Sequence, residues 1–345
     1  MKDSNFLKFI KVRADAFQPN VKLDNLIFEL KSMLEPIQKK NNTLFSGPTY
    51  PVVMVVGCSR AGTTLLTQLL ASSGDFAYPT NFLSRFAYAP QIGAMIQQML
   101  FNPDYNFRDE FVDIRSSSDF YSDLGKTKGA MGISEFFHFW RKFFPVYEPT
   151  HLSKEELSQV DISLMRSELA AIQSVFDKPF LSKGKMFQYN IDYFDENIPE
   201  LFFIHIRRDH YFVMQSTMLS RRKYYNNDEI WWAGKPKEYE WLKDMDPFYQ
   251  IAGQVIYTEK AIDEQLARVN DKRKLICNYE ELCDDPNNIY EQLRIKLANN
   301  NCQLHEYNIK KPLISGNVIK MDQDELSRLE SAYNDLMSGK YYQYE

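Results

Sequence analysis

The chain has 345 residues, of which 44% are hydrophobic and 25% are charged, and its formal net charge is −5. This composition excludes an intrinsically disordered chain, and the length allows one large α/β domain or two small ones. The mild acidity excludes a protein that collects nucleic acid or an anionic membrane by its overall charge, so any anion binding must be local. Its apolar runs fall short of the roughly 18 residues of a membrane span, so we expect no membrane anchor.

The N-terminal residues and the cysteines indicate the cellular compartment. The first residues intersperse charges among apolar side chains and lack the uninterrupted apolar core of a secretory signal. The four cysteines, Cys58, Cys277, Cys283 and Cys302, show no CxxC spacing and are too few to cross-link a chain of this size. We therefore predict a reduced, cytoplasmic setting.

The first periodic segment contains Leu23, Leu26, Ile27, Leu30 and Leu34. Their spacings of three and four predict an amphipathic helix that ends near Pro36. We assign residues 1–45 to an N-terminal accessory helical segment and residues 46–345 to a single α/β domain.

Strand-like runs alternate with helical patterns along the remaining chain. The β-branched run 52–56 stops at a glycine and precedes a helix that carries leucines on one face. Further strands are predicted in PFLSK, PELFFIHIRRD and RKLICNYEEL, and further helices after Ser153 and after Asp322. This alternation predicts an α/β fold with a mainly parallel central sheet flanked by helices, which binds ligands at the carboxyl ends of its strands.

Residues 102–132 are polar, aromatic and irregular, and they are too many for a plain connection. We predict that they belong to an acceptor-binding or lid insertion around residues 102–150.

The loop after the first strand, Gly57-Cys58-Ser59-Arg60-Ala61-Gly62-Thr63-Thr64, lies where a phosphate-binding loop belongs. It is similar to the nucleotide-kinase pattern GxxxxGK[ST], but Thr63 stands where that pattern has lysine. Arg60 supplies a cation inside the loop instead. A donor with one 5′-phosphate joined to a sulfuryl group needs less positive charge than a nucleoside triphosphate with Mg²⁺.

The run GCSRAGTTLL resembles the 5′-phosphosulfate loop of P-loop-like sulfotransferases that use 3′-phosphoadenosine 5′-phosphosulfate (PAPS). In that resemblance Arg60 falls on the loop cation of the family, and Gly62, Thr63 and Thr64 fall on its Gly-Thr-Thr. Ser59 and Ala61 complete the loop that would hold the donor.

A second motif strengthens the resemblance. Family members carry an arginine at the end of a strand and a serine eight residues later, and both bind the 3′-phosphate of the donor; here these positions are Arg208 and Ser216. Strand alternation should point the adjacent Arg207 elsewhere. The stretches FLSKGK and ICNYEELCDDP resemble family segments more weakly. Its C-terminal basic loop has no clear counterpart, with Lys310 and Lys311 as loose substitutes, which suggests a branch distinct from the well-known cytosolic enzymes.

The resemblance implies transfer of a sulfuryl group from PAPS to a hydroxyl or amine of a small-molecule or glycan-type acceptor, with adenosine 3′,5′-bisphosphate as product. Arg60 would stabilise charge on the departing phosphate. The scheme requires no metal, and we see no convincing cluster of metal ligands in the sequence.

The sequence offers two candidates for the general base. Many relatives place a glutamate after the first helix, where this chain has Asn81. The next candidates are Glu135 and His138, which share a helix face if their segment is helical, and we place Glu135 first. The alternative is that neither is the base, with Glu135 paired to Arg141 and His138 a core residue.

Two other functions remain open at the level of sequence. One is a P-loop kinase, which the missing loop lysine disfavours, and the other is a noncatalytic nucleotide-binding protein.

Overall fold

The computed structural model describes residues 13–108, 110, 122–309 and 313–341. The part of the predicted insertion at residues 109 and 111–121, together with Lys310 and Lys311, lies outside the described residues.

Four parallel strands form the central sheet, in the order β4-β1-β5-β6. The strands are β1 (Val52–Val56), β4 (Phe180–Lys183), β5 (Leu201–Arg207) and β6 (Lys274–Asn278), and two short strands, β2 (Ser122–Asp123) and β3 (Lys126–Thr127), pair antiparallel elsewhere. Val52 of β1 lies opposite Phe180 on one side and Leu201 on the other. The predicted fold class and all four predicted strands are therefore confirmed.

Helices cover both faces of this sheet. They are α1 (Val21–Asn42), α2 (Thr63–Ser72), α3 (Pro90–Phe101), α4 (Phe137–Arg141), α5 (Lys154–Leu157), α6 (Ile162–Phe176), α7 (Ile191–Asn197), α8 (His210–Tyr225), α9 (Tyr239–Leu242), α10 (Pro247–Leu266), α11 (Tyr279–Asp284), α12 (Pro286–Ala298) and α13 (Gln323–Met337). Because side chains alternate along a strand, Val52 and Met54 of β1 pack into one buried cluster and Val53 and Val55 into another. The sheet thus has a core on each face and leaves its strand ends for a site.

The N-terminal helix is longer than the sequence predicts. Helix α1 continues through Pro36 to Asn42, so the predicted end near Pro36 is wrong. A proline removes one main-chain hydrogen bond, and here buried side chains hold the turns that follow. The Gln38 amide donates to Asn42 Oδ1 at 2.7 Å, and the Asn42 amide donates to Glu168 Oε1 at 3.3 Å.

The region after Ser153 contains two helices. Ser153 and Glu156 form a capping box, but it begins only the single turn α5. Helix α6 starts separately, where Asp161 Oδ1 accepts a hydrogen bond from the Leu164 amide at 2.9 Å. A second polar cap therefore divides the helix predicted after Ser153 into two.

Among the described residues, no helix combines the length and the apolar character needed to cross a membrane.

Candidate functional site

A cavity of about 1230 Å³ opens at the carboxyl ends of the parallel strands. The loop after β1, Lys185 after β4, Arg208 after β5 and Tyr279 after β6 all line it. This is the edge at which parallel α/β sheets bind ligands.

We distinguish two ends of this cavity by their residues. The loop end is lined by Arg60, Gly62, Thr63, Thr64, Lys185, Arg208, Ser216, Tyr279, Gly316 and Lys320. The far end is lined by residues from 13–24, 81–85, 133–149 and 224–234. Different segments of the chain thus build the two ends.

The backbone of the loop requires a glycine at position 62. Gly62 has φ 102°, and a Cβ there would lie 2.6 Å from Cδ2 of Tyr279. Helix α2 begins at the next residue, Thr63, with no side-chain cap and no acidic residue in its first turn. Its first amides therefore lack helical partners and face the cavity with the positive end of the helix dipole, an arrangement that suits an anion.

The other predicted loop residues make different hydrogen bonds. The Ala61 amide donates to the Cys58 carbonyl at 3.1 Å, so the turn itself uses it, and the Ala61 side chain is buried. Ser59 Oγ accepts a hydrogen bond from Lys185 Nζ at 3.0 Å. Thr64 Oγ1 accepts one from Lys183 Nζ at 3.1 Å. Two lysines thus fix the hydroxyls of the loop.

Arg60, Ser216 and Arg208 meet at the loop end. Arg60 Nε donates to Ser216 Oγ at 3.0 Å, and an Arg208 Nη1 hydrogen donates to the Arg60 carbonyl at 2.8 Å. Burial and the nearby charge of Arg208 lower the pKa of Arg60. Two cations this close repel each other, so an anion placed between them would be favourable.

The C-terminal segment also reaches this site. Arg208 Nε donates to Asn317 Oδ1 at 2.8 Å, and the Arg208 guanidinium lies 4.4 Å from the centre of the Tyr279 ring. The Gly316 amide donates to the Tyr279 hydroxyl at 2.7 Å. Gly316 and Lys320 line the cavity, so the C-terminal segment contributes one cation to it.

Glu135 lies between the loop and the far end. Its Oε1 accepts a hydrogen bond from Lys183 Nζ at 2.9 Å and lies 4.0 Å from Lys185 Nζ. Partial burial raises the pKa of the Glu135 carboxyl, but the charges of Lys183 and Lys185 outweigh this effect and hold the pKa below its usual value. The same Lys183 donates to Thr64, so one buried ammonium links Glu135 to the loop.

The expectation of a shared helix face for Glu135 and His138 is wrong. Helix α4 begins at Phe137, and Phe136 before it has φ 54°, which places Glu135 outside the helix. Both side chains nevertheless line the cavity, and His138 is exposed rather than a core residue. Glu135 pairs with Lys183 and not with Arg141.

Comparison with known proteins assigns the family. The profile described as "Sulfotransferase family" matches residues 51–297. The chain belongs to the sulfotransferase family. No curated protein matches the chain in sequence.

Among solved structures, this sulfotransferase is similar to STF1 from Mycobacterium tuberculosis H37Rv, with 12% identity and a TM-score of 0.49 over 89% of this chain and 79% of that one. It is also similar to STF9 from Mycobacterium avium, with 13% identity and a TM-score of 0.46 over 86% and 70%. The sulfotransferase domain of the Synechococcus PCC 7002 olefin synthase shows 14% identity and a TM-score of 0.40 over 76% of each chain. Family membership rests on the profile match and not on these scores.

In this sulfotransferase, the two adjacent arginines at the end of β5 have different partners, as the alternation of side chains along a strand predicts. Arg207 pairs with Asp263 on the opposite side from Arg208. The buried ring of His205 lies between two carboxylates, with Nε2 3.0 Å from Glu259 and Nδ1 3.3 Å from Asp263.

This histidine and its two acids form a group of metal-ligand types among the described residues. The carboxylates face opposite nitrogens of one ring, an arrangement that suits a protonated imidazole better than a shared metal ion. Burial lowers the pKa of His205, but both acids outweigh it and hold the pKa above its usual value. The group does not line the cavity.

The aromatic residues between positions 224 and 241 separate into two sets. Tyr224, Tyr225 and Trp232 line the cavity at its far end. Trp231 is buried in the core, and Trp241 stacks edge-on against Tyr257.

Sequence reasoning missed several residues of the site. The only sequence signal for Lys183 and Lys185 is the weak family resemblance of FLSKGK. The only signal for Tyr279 is the strand-end stretch ICNYEEL. The Gly316–Asn317 turn and Lys320 had a possible signal, a turn dipeptide followed by a cation. No sequence signal indicates that residues 13–24 contribute to the far end.

Proposed function

We propose that this protein transfers a sulfuryl group from PAPS to a hydroxyl, or an amine, of an acceptor and releases adenosine 3′,5′-bisphosphate. The observation that carries the proposal is the contact of Arg60, Ser216 and Arg208 at one strand edge, beside a glutamate linked by Lys183 to the same loop.

The charges at the loop end support a donor with two separate phosphate groups. Arg60, Lys185 and the uncapped start of α2 would hold the 5′-phosphosulfate. Arg208 and Ser216 would hold the 3′-phosphate, since a guanidinium at a strand end can fork onto phosphate oxygens. The donor is a substrate in this scheme, and no step of it needs a metal ion.

The transfer step balances as an in-line displacement. The acceptor oxygen forms a bond to sulfur while the bond between sulfur and the 5′-phosphate oxygen breaks, and that oxygen keeps the electron pair. Arg60 and Lys185, which both line the cavity, would stabilise the developing charge. Glu135, kept ionised by its lysine neighbours, accepts the acceptor proton, and His138 on the same cavity wall is the second candidate.

The proposal includes a reducing compartment, as the cysteine pattern predicts. All four cysteines are free and buried.

Calorimetric titration with adenosine 3′,5′-bisphosphate tests the donor part of the proposal. We expect metal-independent binding that Arg208→Ala weakens by about 10- to 100-fold, because charge-assisted hydrogen bonds to phosphate are lost. Arg207→Ala is the matched control, since Arg207 is adjacent but pairs with Asp263 away from the cavity, and its affinity should match the unaltered protein.

Two outcomes would overturn the assignment. Binding of ATP with Mg²⁺, without binding of the bisphosphate, would indicate a kinase. Binding of the bisphosphate without sulfation of any hydroxyl or amine in a broad panel supplied with [³⁵S]PAPS would indicate a noncatalytic nucleotide-binding protein.

A further inference from the structure

The arginines of the cavity differ from most described arginines elsewhere in the molecule, although Arg108 and Arg221 outside it also lack a carboxylate partner among the described residues. Five arginines line it, namely Arg13, Arg60, Arg85, Arg141 and Arg208, and none forms an ion pair with a carboxylate of the described residues. Seven arginines outside it do: Arg166, Arg207, Arg222, Arg268, Arg273, Arg294 and Arg328. Arg60 and Arg208 lie at the loop end, where the donor phosphates would neutralise them.

Two of the remaining arginines are held on aromatic rings at the far end. The Arg141 guanidinium lies 3.5 Å from the centre of the Tyr147 ring, and its Nε donates to the Tyr147 carbonyl at 2.8 Å. The Arg13 guanidinium lies 5.5 Å from the centre of the Tyr224 ring, and its buried Nε has no partner among the described residues. Stacking and one anchored nitrogen leave the outer edge of Arg141 free to take a planar anion.

The segment that carries Arg13 is fixed against α8. The Ala14 amide donates to the Tyr224 carbonyl at 2.9 Å, and the ring centres of Phe17 and Tyr224 lie 4.7 Å apart. Tyr224 therefore connects this segment to the wall on which Trp232 lies, with 6.4 Å between their ring centres. Arg13 is part of a built wall rather than a loose terminus.

The charges of Glu148 and Glu135 act on Arg141, but no acid at this end forms an ion pair with Arg13 or Arg141 among the described residues. Glu148 pairs with Lys235 at 2.6 Å, and Asp24 lies in the first turn of α1, where the helix dipole already favours a carboxylate. Glu135 pairs with Lys183.

We propose that the acceptor is a hydroxyl compound that carries a carboxylate, which Arg13 and Arg141 bind while the hydroxyl lies at Glu135. The inference rests on the proposed function and adds the chemical class of the acceptor. A guanidinium matches the planar carboxylate with two parallel hydrogen bonds, and the aromatic rings of the far end accept the face of a phenyl or sugar ring.

Matched pairs of acceptors test the inference in assays with [³⁵S]PAPS. The first pair is 3-(4-hydroxyphenyl)propionate and its amide, and the second is methyl glucuronide and methyl glucoside. Within at least one pair we expect kcat/KM to be about 10-fold or more higher for the acid, as the loss of charge-assisted hydrogen bonds implies.

Variants assign the preference to the two arginines. Arg141→Gln and Arg13→Gln should each raise KM for the acid and reduce the acid preference. Arg141→Lys keeps the charge but cannot form two parallel hydrogen bonds, so its acid preference should lie between those of Arg141→Gln and the unaltered protein. Arg294→Gln, which removes an arginine paired with Glu291 on α12, is the matched control. Thermal unfolding verifies that each variant is folded.

The outcomes separate this inference from the proposed function. Equal rates for acid and neutral acceptors, or an acid preference that survives both glutamine variants, would overturn the carboxylate assignment alone. Bisphosphate binding without sulfation of any acceptor would overturn both the proposed function and this inference. Failure to bind adenosine 3′,5′-bisphosphate would overturn both.

Discussion

The two ends of the cavity are built in different ways. The loop end consists of strand termini and the helix starts that follow them, so the parallel sheet fixes the positions of Arg60, Arg208 and Tyr279. The far end consists of residues from 13–24, 81–85, 133–149 and 224–234, which lie outside the sheet, and aromatic contacts join several of these segments. The sheet therefore positions one set of cations, and segments outside the sheet position the other. Under the proposed function, the loop end would hold the donor and the far end would select the acceptor.

Glu135 lies where the two ends meet, and its replacement should have the largest effect. We expect Glu135→Gln to reduce single-turnover sulfation by about 10²- to 10⁴-fold, the range of a lost general base, while bisphosphate affinity stays within a few fold. His138→Gln is the control, with a change of a few fold at most. Full turnover in the glutamine variant, or a larger loss in His138→Gln, would assign the base elsewhere.

The lysine pair beside Glu135 should set the acidic limb of the pH profile. The base works when it is ionised, and Lys183 and Lys185 hold its pKa below the usual value. Removing a lysine raises that pKa, so activity should begin to fall at a higher pH as the solution is acidified.

We expect Lys183→Met to move the acidic limb of kcat/KM upward by about one pH unit or more. Lys185→Met should move it less, since Lys185 Nζ lies at 4.0 Å from Glu135 Oε1 and Lys183 Nζ at 2.9 Å. If the acidic limb of Lys183→Met stays where it is in the unaltered protein, Glu135 is not the group that sets the pH dependence.

The rigidity of the loop end can be measured through Gly62. Gly62→Ala adds backbone strain and a contact with Tyr279, and we expect the free energy of unfolding to fall by about 3 kcal/mol. Gly74→Ala is the matched control, with φ 80° and open space around its Cβ, and should cost about 1 kcal/mol. Urea unfolding measures both values, and equal losses would show that the contact with Tyr279 does not constrain the loop.

The sequence predicts the loop end far better than the far end. The motifs identify Arg60, Arg208 and Ser216 because a strand, a tight loop and a helix impose local spacing that is visible in the chain. Glu135 was selected by residue type, but its position outside α4 and its pairing with Lys183 depend on contacts 48 residues apart. Such long-range pairing has no local pattern, which is also why Arg13 and residues 316–320 were missed.

The conformation of Arg60 has a consequence for redesign. Arg60 adopts φ 75°, a left-handed conformation that a side chain disfavours and that glycine adopts freely. Stability alone therefore selects glycine at this position, whereas the proposed donor site needs the cation. A thermostabilised version of this protein chosen only by melting temperature would tend to discard Arg60, and so would gain stability by giving up the reaction.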